Sequence, residues 1–78
     1  MIKETITVIP KEDIEIKFLN EKDFHKLNKG KTYEAKLDRL QDGIPLAYYV
    51  TEDDFDFEVA DCTVDGEIII YDDYELVL

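Results

Sequence analysis

Seventy-eight residues predict a single domain, 1–78, with a modest core, because a chain of this size buries only about 60% of its unfolded surface. A hydrophobic fraction of 45%, with nine aromatic side chains, excludes a disordered chain. The net charge of −11 argues against direct binding to nucleic acid or an anionic membrane, and no apolar run approaches the ~20 residues that span a bilayer.

The elements read mostly as period two, the repeat of strands. Ile2, Glu4, Ile6 and Val8 share one face of a first strand, which Pro10 closes because it cannot donate to a ladder. Ile14, Ile16 and Phe18 alternate with Glu15 and Lys17 in a second. The period then changes. Asn20 is a good N-cap, Asp23 follows three residues later, and Phe24 and Leu27 stand at i, i+3, so residues 21–27 predict one short helix stopped by Asn28 and Gly30. His25, within it, is expected to be exposed.

Alternation resumes at Tyr33, Ala35 and Leu37, and "QDGIP" (41–45) has the composition of a turn. "LAYYV" is a short strand, "TEDD" a turn, and Phe55, Phe57 and Val59 alternate with Asp54, Asp56 and Glu58. "VDGE" (64–67) is the clearest hairpin signal, and the last strands, "IIIY" and "YELVL", part at Asp72-Asp73. The expected core is Ile16, Phe18, Tyr33, Ala35, Leu37, Val50, Phe55, Phe57, Ile69 and Leu76. Six or seven short strands and one helix cannot make a wide sandwich. The predicted fold is mostly β (α+β minor), a small, strongly bent antiparallel sheet or barrel with one short helix near residues 21–27.

Three stretches, "NKGKTYEAKL" (28–37), "YYVTEDD" (48–54) and "GEIIIYDDYELV" (66–77), together resemble the small SH3-like barrel proteins of low-GC bacteria and their phages. The shared features are a Gly-Lys-x-Tyr-x-Ala opening strand, a Tyr-rich middle strand ending in an acidic turn, and a closing strand before Glu-Leu-Val. The resemblance covers residues 28–78 and implies an SH3-like barrel, but carries no functional residue with it.

Catalytic and metal chemistry find little footing. The chain has no serine, and its single histidine and single cysteine, His25 and Cys62, stand far apart in sequence, so no nucleophile has an evident base and no enzyme is expected. Cys62 reads as a small buried hydrophobe, and one cysteine forms no intrachain disulfide, which with Lys3 and Glu4 in place of an apolar leader predicts a cytoplasmic setting. Counting Asp54 as position one of a calcium loop places Asp56 at three, Glu58 at five and Asp65 at twelve. Val59 then occupies the obligatory glycine position and Asp65 replaces the bidentate glutamate, so no metal or other cofactor is expected.

The charge distribution remains to be explained. Residues 1–39 carry nine basic and eight acidic groups, a balance of +1, whereas residues 40–78 carry twelve acidic groups and none that is basic. Eight of those twelve lie in "EDDFDFEVADCTVDGE", residues 52–67. A solvated strand face accounts for the alternation but not for the missing lysines, which would relieve like-charge repulsion without disturbing packing. The expected partner-binding residues are Glu52, Asp53, Asp54, Asp56, Glu58, Asp72, Asp73 and Glu75, with Tyr71 and Tyr74 as aromatic anchors. The expected partner is a basic protein, such as a nucleic-acid-binding enzyme whose groove an acidic phage or mobile-element inhibitor would fill by mimicking nucleic-acid charge. The alternative is a general protein-interaction or accessory barrel without mimicry, binding through exposed tyrosines such as Tyr48, Tyr49, Tyr71 or Tyr74.

Overall fold

The computed structural model describes residues 2–78 and places eight strands among them, with no helix. They are β1 (Thr5–Pro10), β2 (Ile14–Ile16), β3 (His25–Leu27), β4 (Tyr33–Arg39), β5 (Pro45–Glu52), β6 (Phe55–Cys62), β7 (Ile68–Ile70) and β8 (Tyr74–Val77). The helix predicted over 21–27 is therefore corrected: its last three residues are β3, paired antiparallel with β2 from Ile14–Leu27 to Ile16–His25. A seven-residue helix is marginal in water, and this one would bring only Phe24 and Leu27 to a core. Pairing with β2 instead buries Leu27 completely. The residues at the supposed helix start form turns, with the Glu21 amide donating to the Phe18 carbonyl at 3.0 Å.

The other six strands form one antiparallel sheet in the order β7-β6-β5-β4-β1-β8. Laid flat, six strands would span about 24 Å between their outer edges. Yet the edge strands β7 and β8 are consecutive, and the four peptide steps from Ile70 to Tyr74 reach at most about 14 Å. The sheet must curl until its edges meet. It is the strongly bent, barrel-like sheet that the sequence predicts, and two backbone bonds pin its closing turn: Tyr71 N–H to the Val59 carbonyl (3.1 Å) and Lys11 N–H to the Asp73 carbonyl (2.8 Å). Among the described residues, no helix is long and apolar enough to cross a membrane.

The core runs through the barrel from Ile6 and Val8 of β1 to Tyr74 of β8, and includes Tyr33, Ala35, Tyr48, Val50, Phe57, Val59, Ala60 and Cys62. Leu27 joins it from the β2–β3 hairpin, which covers part of the barrel with Ile14 and Ile16 half-buried beneath it. Of the expected core, Tyr33, Ala35, Val50 and Phe57 are buried, while Ile16, Leu37, Phe55 and Leu76 pack half-buried against it. Two expectations are corrected. Phe18 lies beyond the end of β2 and is 56% exposed, and Ile69 is 48% exposed because it stands opposite outward-facing Asp61.

The β5–β6 pairing contains the irregularity that shapes the acidic face. Tyr48 stands opposite Ala60, but Tyr49 stands opposite Glu58, so Val59 is an extra residue on β6. This is a β-bulge, and it resets the phase of alternation. Val59 and Ala60 are both buried, and Asp61 faces outward beside Glu58.

Candidate acidic interface on the β5–β6 hairpin

The outer face of β5–β6 is built from cross-strand pairs. Thr51 stands opposite Asp56 and Tyr49 opposite Glu58, and beyond the bulge Asp61 stands between Ala47 and Ile69. Each of the three carboxylates receives a hydroxyl. Thr51 donates to Asp56 at 2.5 Å, Tyr49 donates to Glu58 at 2.9 Å, and Tyr71 lies against both Glu58 and Asp61, the latter at 2.7 Å. Hydroxyl donors satisfy acceptor lone pairs without neutralising the charge. The result is a row of carboxylates held by hydroxyls rather than by cations.

The phenols carry the electrostatic imprint of this arrangement. The Tyr49 hydroxyl is pushed above its ordinary range, chiefly by its hydrogen bond to Glu58. That of Tyr71 is also pushed up, first by burial and then by the bonds to Glu58 and Asp61. Deprotonating either would set a phenolate against carboxylates and lose the bond, so both remain donors.

Cations are absent from this row. Among the described residues the ion pairs are Asp13–Lys26, Glu15–Lys26 and Glu4–Arg39, and they and the Glu21–His25 contact all lie at or before Arg39 in the chain. Lys36, opposite Tyr49 on β4, is the basic side chain lining a shallow depression with Asp56.

The expected site residues are not one patch. Asp56 and Glu58 belong to the row. Asp53 and Asp54 form the two-residue turn between β5 and β6, both with positive φ, 50° and 62°. Glu52 is half-exposed and lines a different depression with Lys31, Glu34 and Lys36, so its surroundings are of mixed charge. Asp72 and Asp73 make the β7–β8 turn, and Glu75 stands opposite Ile9 on the far edge of the sheet order. Tyr71 is half-buried and organises the row. Tyr74 is only 5% exposed, which makes it a core residue and removes it as a surface anchor.

Asp61 and Thr51 are absent from the expected site, and Tyr49 enters it only under the alternative reading, whose Tyr48 is buried. Strict alternation from Phe57 and Val59 would turn Asp61 inward, and only the bulge brings it out. The adjacent apolar pair Val59-Ala60 was the available signal. Two further expectations meet their structure here. His25 is half-buried rather than exposed: its Nε2 donates to the Glu21 carboxylate at 2.6 Å and its ring stacks on Phe55, whereas Cys62 is buried as predicted. Among the described residues, no group of three or more His, Cys, Asp or Glu is arranged to hold a metal ion. Compared with known protein families, characterised proteins and solved structures, the chain shows no significant match.

Proposed function

We propose that this protein is a small acidic binding module whose β5–β6 face occupies the basic groove of a nucleic-acid-binding protein. One observation carries the reading: Asp56, Glu58 and Asp61 are held in a row by hydroxyls, with no ion pair to any of them among the described residues. Alternate strand residues lie about 6.6 Å apart, within the ~8 Å Debye length of physiological salt, so a partner meets their charges together. One strand of duplex DNA presents a phosphate about every 3.4 Å, and a groove evolved for that track is a natural receptor for a carboxylate row. The resemblance of residues 28–78 to small barrel proteins of low-GC bacteria and phages supports a cytoplasmic inhibitor of a host nuclease, repair enzyme or transcription component.

The test begins with capture from a low-GC bacterial lysate, eluted along a salt gradient. The captured protein is then measured by surface plasmon resonance at several ionic strengths, with and without competing duplex DNA. Affinity that falls steeply with salt, competes with DNA and is lost in the Asp56→Lys, Glu58→Lys, Asp61→Lys variant fits the proposal. Salt-insensitive binding that survives those changes but is lost with Tyr71→Ala rejects it in favour of an ordinary interaction barrel.

A further inference from the structure

The loop joining β2 to β3 places three large apolar side chains in solvent. Phe18 is 56% exposed, Phe24 57% and Leu19 fully so. Scattered exposed apolar residues are ordinary, but these three fall within seven consecutive positions at one loop tip. The tip is also held in shape. Glu21 accepts the Phe18 amide at 3.0 Å through one oxygen and contacts His25 at 2.6 Å through the other. His25 in turn stacks on Phe55 at 4.1 Å, and the Phe18 ring meets Phe55 at 5.8 Å. An apolar tip fixed in advance loses little conformational freedom on docking, which is the condition for an effective anchor.

Charge identifies the occupant. The tip adjoins the β5–β6 turn, where Asp53 shares a depression with Glu21, Lys22, Asp23, Phe24 and His25, and Lys17 lies over the Phe24 ring at 5.2 Å, so acidic groups outnumber the cations without excluding them. Residues 17–25 and 52–54 together carry two basic and five acidic groups, a balance of −3. A second copy of a chain with net charge −11 is repelled, as are nucleic acid and anionic membranes. What complements an apolar tip with an acidic flank is a cationic amphipathic segment, with aliphatic side chains in its centre and Lys or Arg at its rim.

We infer that Phe18, Leu19 and Phe24 are the apolar anchor of a docking surface for a basic amphipathic protein segment, with Asp53 and Asp54 as its charged flank. This rests on the proposed basic partner and adds a second, short-range contact to the long-range attraction of the β5–β6 row.

The test uses the full chain, labelled with nitrogen-15, and two synthetic helical peptides of equal positive charge. One carries leucine at i, i+3, i+4 and i+7 with lysine elsewhere, and the other has alanine in place of leucine. The Leu/Lys peptide is expected to shift amides of residues 17–25 and 53–54 and to bind roughly tenfold or more tightly than the Ala/Lys peptide. Leu19→Gln, a neutral change at a fully exposed position, is expected to bring the Leu/Lys affinity down toward that of the Ala/Lys peptide. Equal affinities, with shifts confined to Tyr49–Asp61, would overturn the anchor while keeping the basic-partner reading. No shift with either peptide would overturn both. Shifts of the loop amides with protein concentration alone would assign the tip to self-association and overturn the inference as well.

Discussion

The imidazole of His25 lies flat on the ring of Phe55, with centroids 4.1 Å apart and planes 11° from parallel. Phe55 also meets Phe18 at 5.8 Å and Phe57 edge-on at 4.9 Å, so one half-buried ring joins the β2–β3 hairpin to the barrel core. Removing it should loosen the hairpin more than the barrel. Phe55→Ala is expected to cost roughly 2–3 kcal/mol in denaturant melts, from the lost aromatic pairs and the area they cover. Amide exchange should accelerate most over residues 14–27, and uniform acceleration across β4–β6 would contradict this division.

Acid should release the same hairpin tip. The Glu21 carboxyl is held below its ordinary value of 4.5, first by the Phe18 amide and then by His25. A carboxylate depressed in the folded state favours folding above its ordinary value, and that contribution fades as pH falls through the lowered one. The expected readout is a loss of the ring-current shift between His25 and Phe55 below about pH 4.5. Glu21→Gln should remove this pH dependence while leaving the chemical shifts of β4–β6 in place.

The turn at Asp53-Asp54 offers a gain in stability. Both residues adopt positive φ, the geometry of a two-residue type I′ hairpin turn, where Gly is favoured at the second position. Asp54→Gly is expected to raise stability by about 0.5–1 kcal/mol, and Asp54→Val to lower it by more, because a β-branched residue is strained there. Thermal melts of the two variants should move in opposite directions.

Alkali should destabilise the fold through its tyrosines. Tyr48 is wholly buried, donates to the Lys3 carbonyl at 2.6 Å, and is pushed up to about 12, chiefly by burial. Tyr49 and Tyr71 are raised as well. The unfolded chain gives up these protons near the ordinary value of 10 while the folded chain keeps them, so the stabilisation is complete below pH 10. It declines as pH rises toward 12. The phenolate absorbance contributed by Tyr48, Tyr49 and Tyr71 at 295 nm, read from the loss of signal in their Phe variants, should therefore rise late and together with unfolding. Tyr71→Phe should keep more of its stability over that interval, and a Tyr48 contribution that titrates at pH 10 in the folded state, read as the difference from Tyr48→Phe, would contradict the placement of Tyr48.

The legible part of the fold was the part set by local repeat. Period two placed β1, β2 and β4 to β8, and Asp42-Gly43, Asp53-Asp54 and Asp65-Gly66 marked turns where the chain does reverse. What escaped depends on contacts between distant residues. His25–Leu27 is a strand because Ile14–Ile16 is there to pair with it, and nothing within 21–27 records that partner. The carboxylate row was half legible for a related reason. Asp56 and Glu58 follow from alternation, but Asp61 depends on Val59 being accommodated opposite β5 as an extra residue. The hydroxyls of Tyr49 and Thr51 come from a neighbouring strand whose register is set only in the folded sheet.

The pairing of β1 with β8, from Thr7–Val77 to Pro10–Tyr74, joins nearly the two ends of the described chain. During translation every other strand of the barrel emerges before β8, and β1 must wait with one edge unpaired until it does. Such an edge is a template for pairing with other chains. Thr7, Ile9 and their neighbours are thus exposed to wrong partners for longest in the newly made protein, and contacts across the greatest chain separation are the slowest to form. The strand that begins the barrel is stable only once the last one arrives, so a chain cut short before Val77 would leave its barrel unsealed.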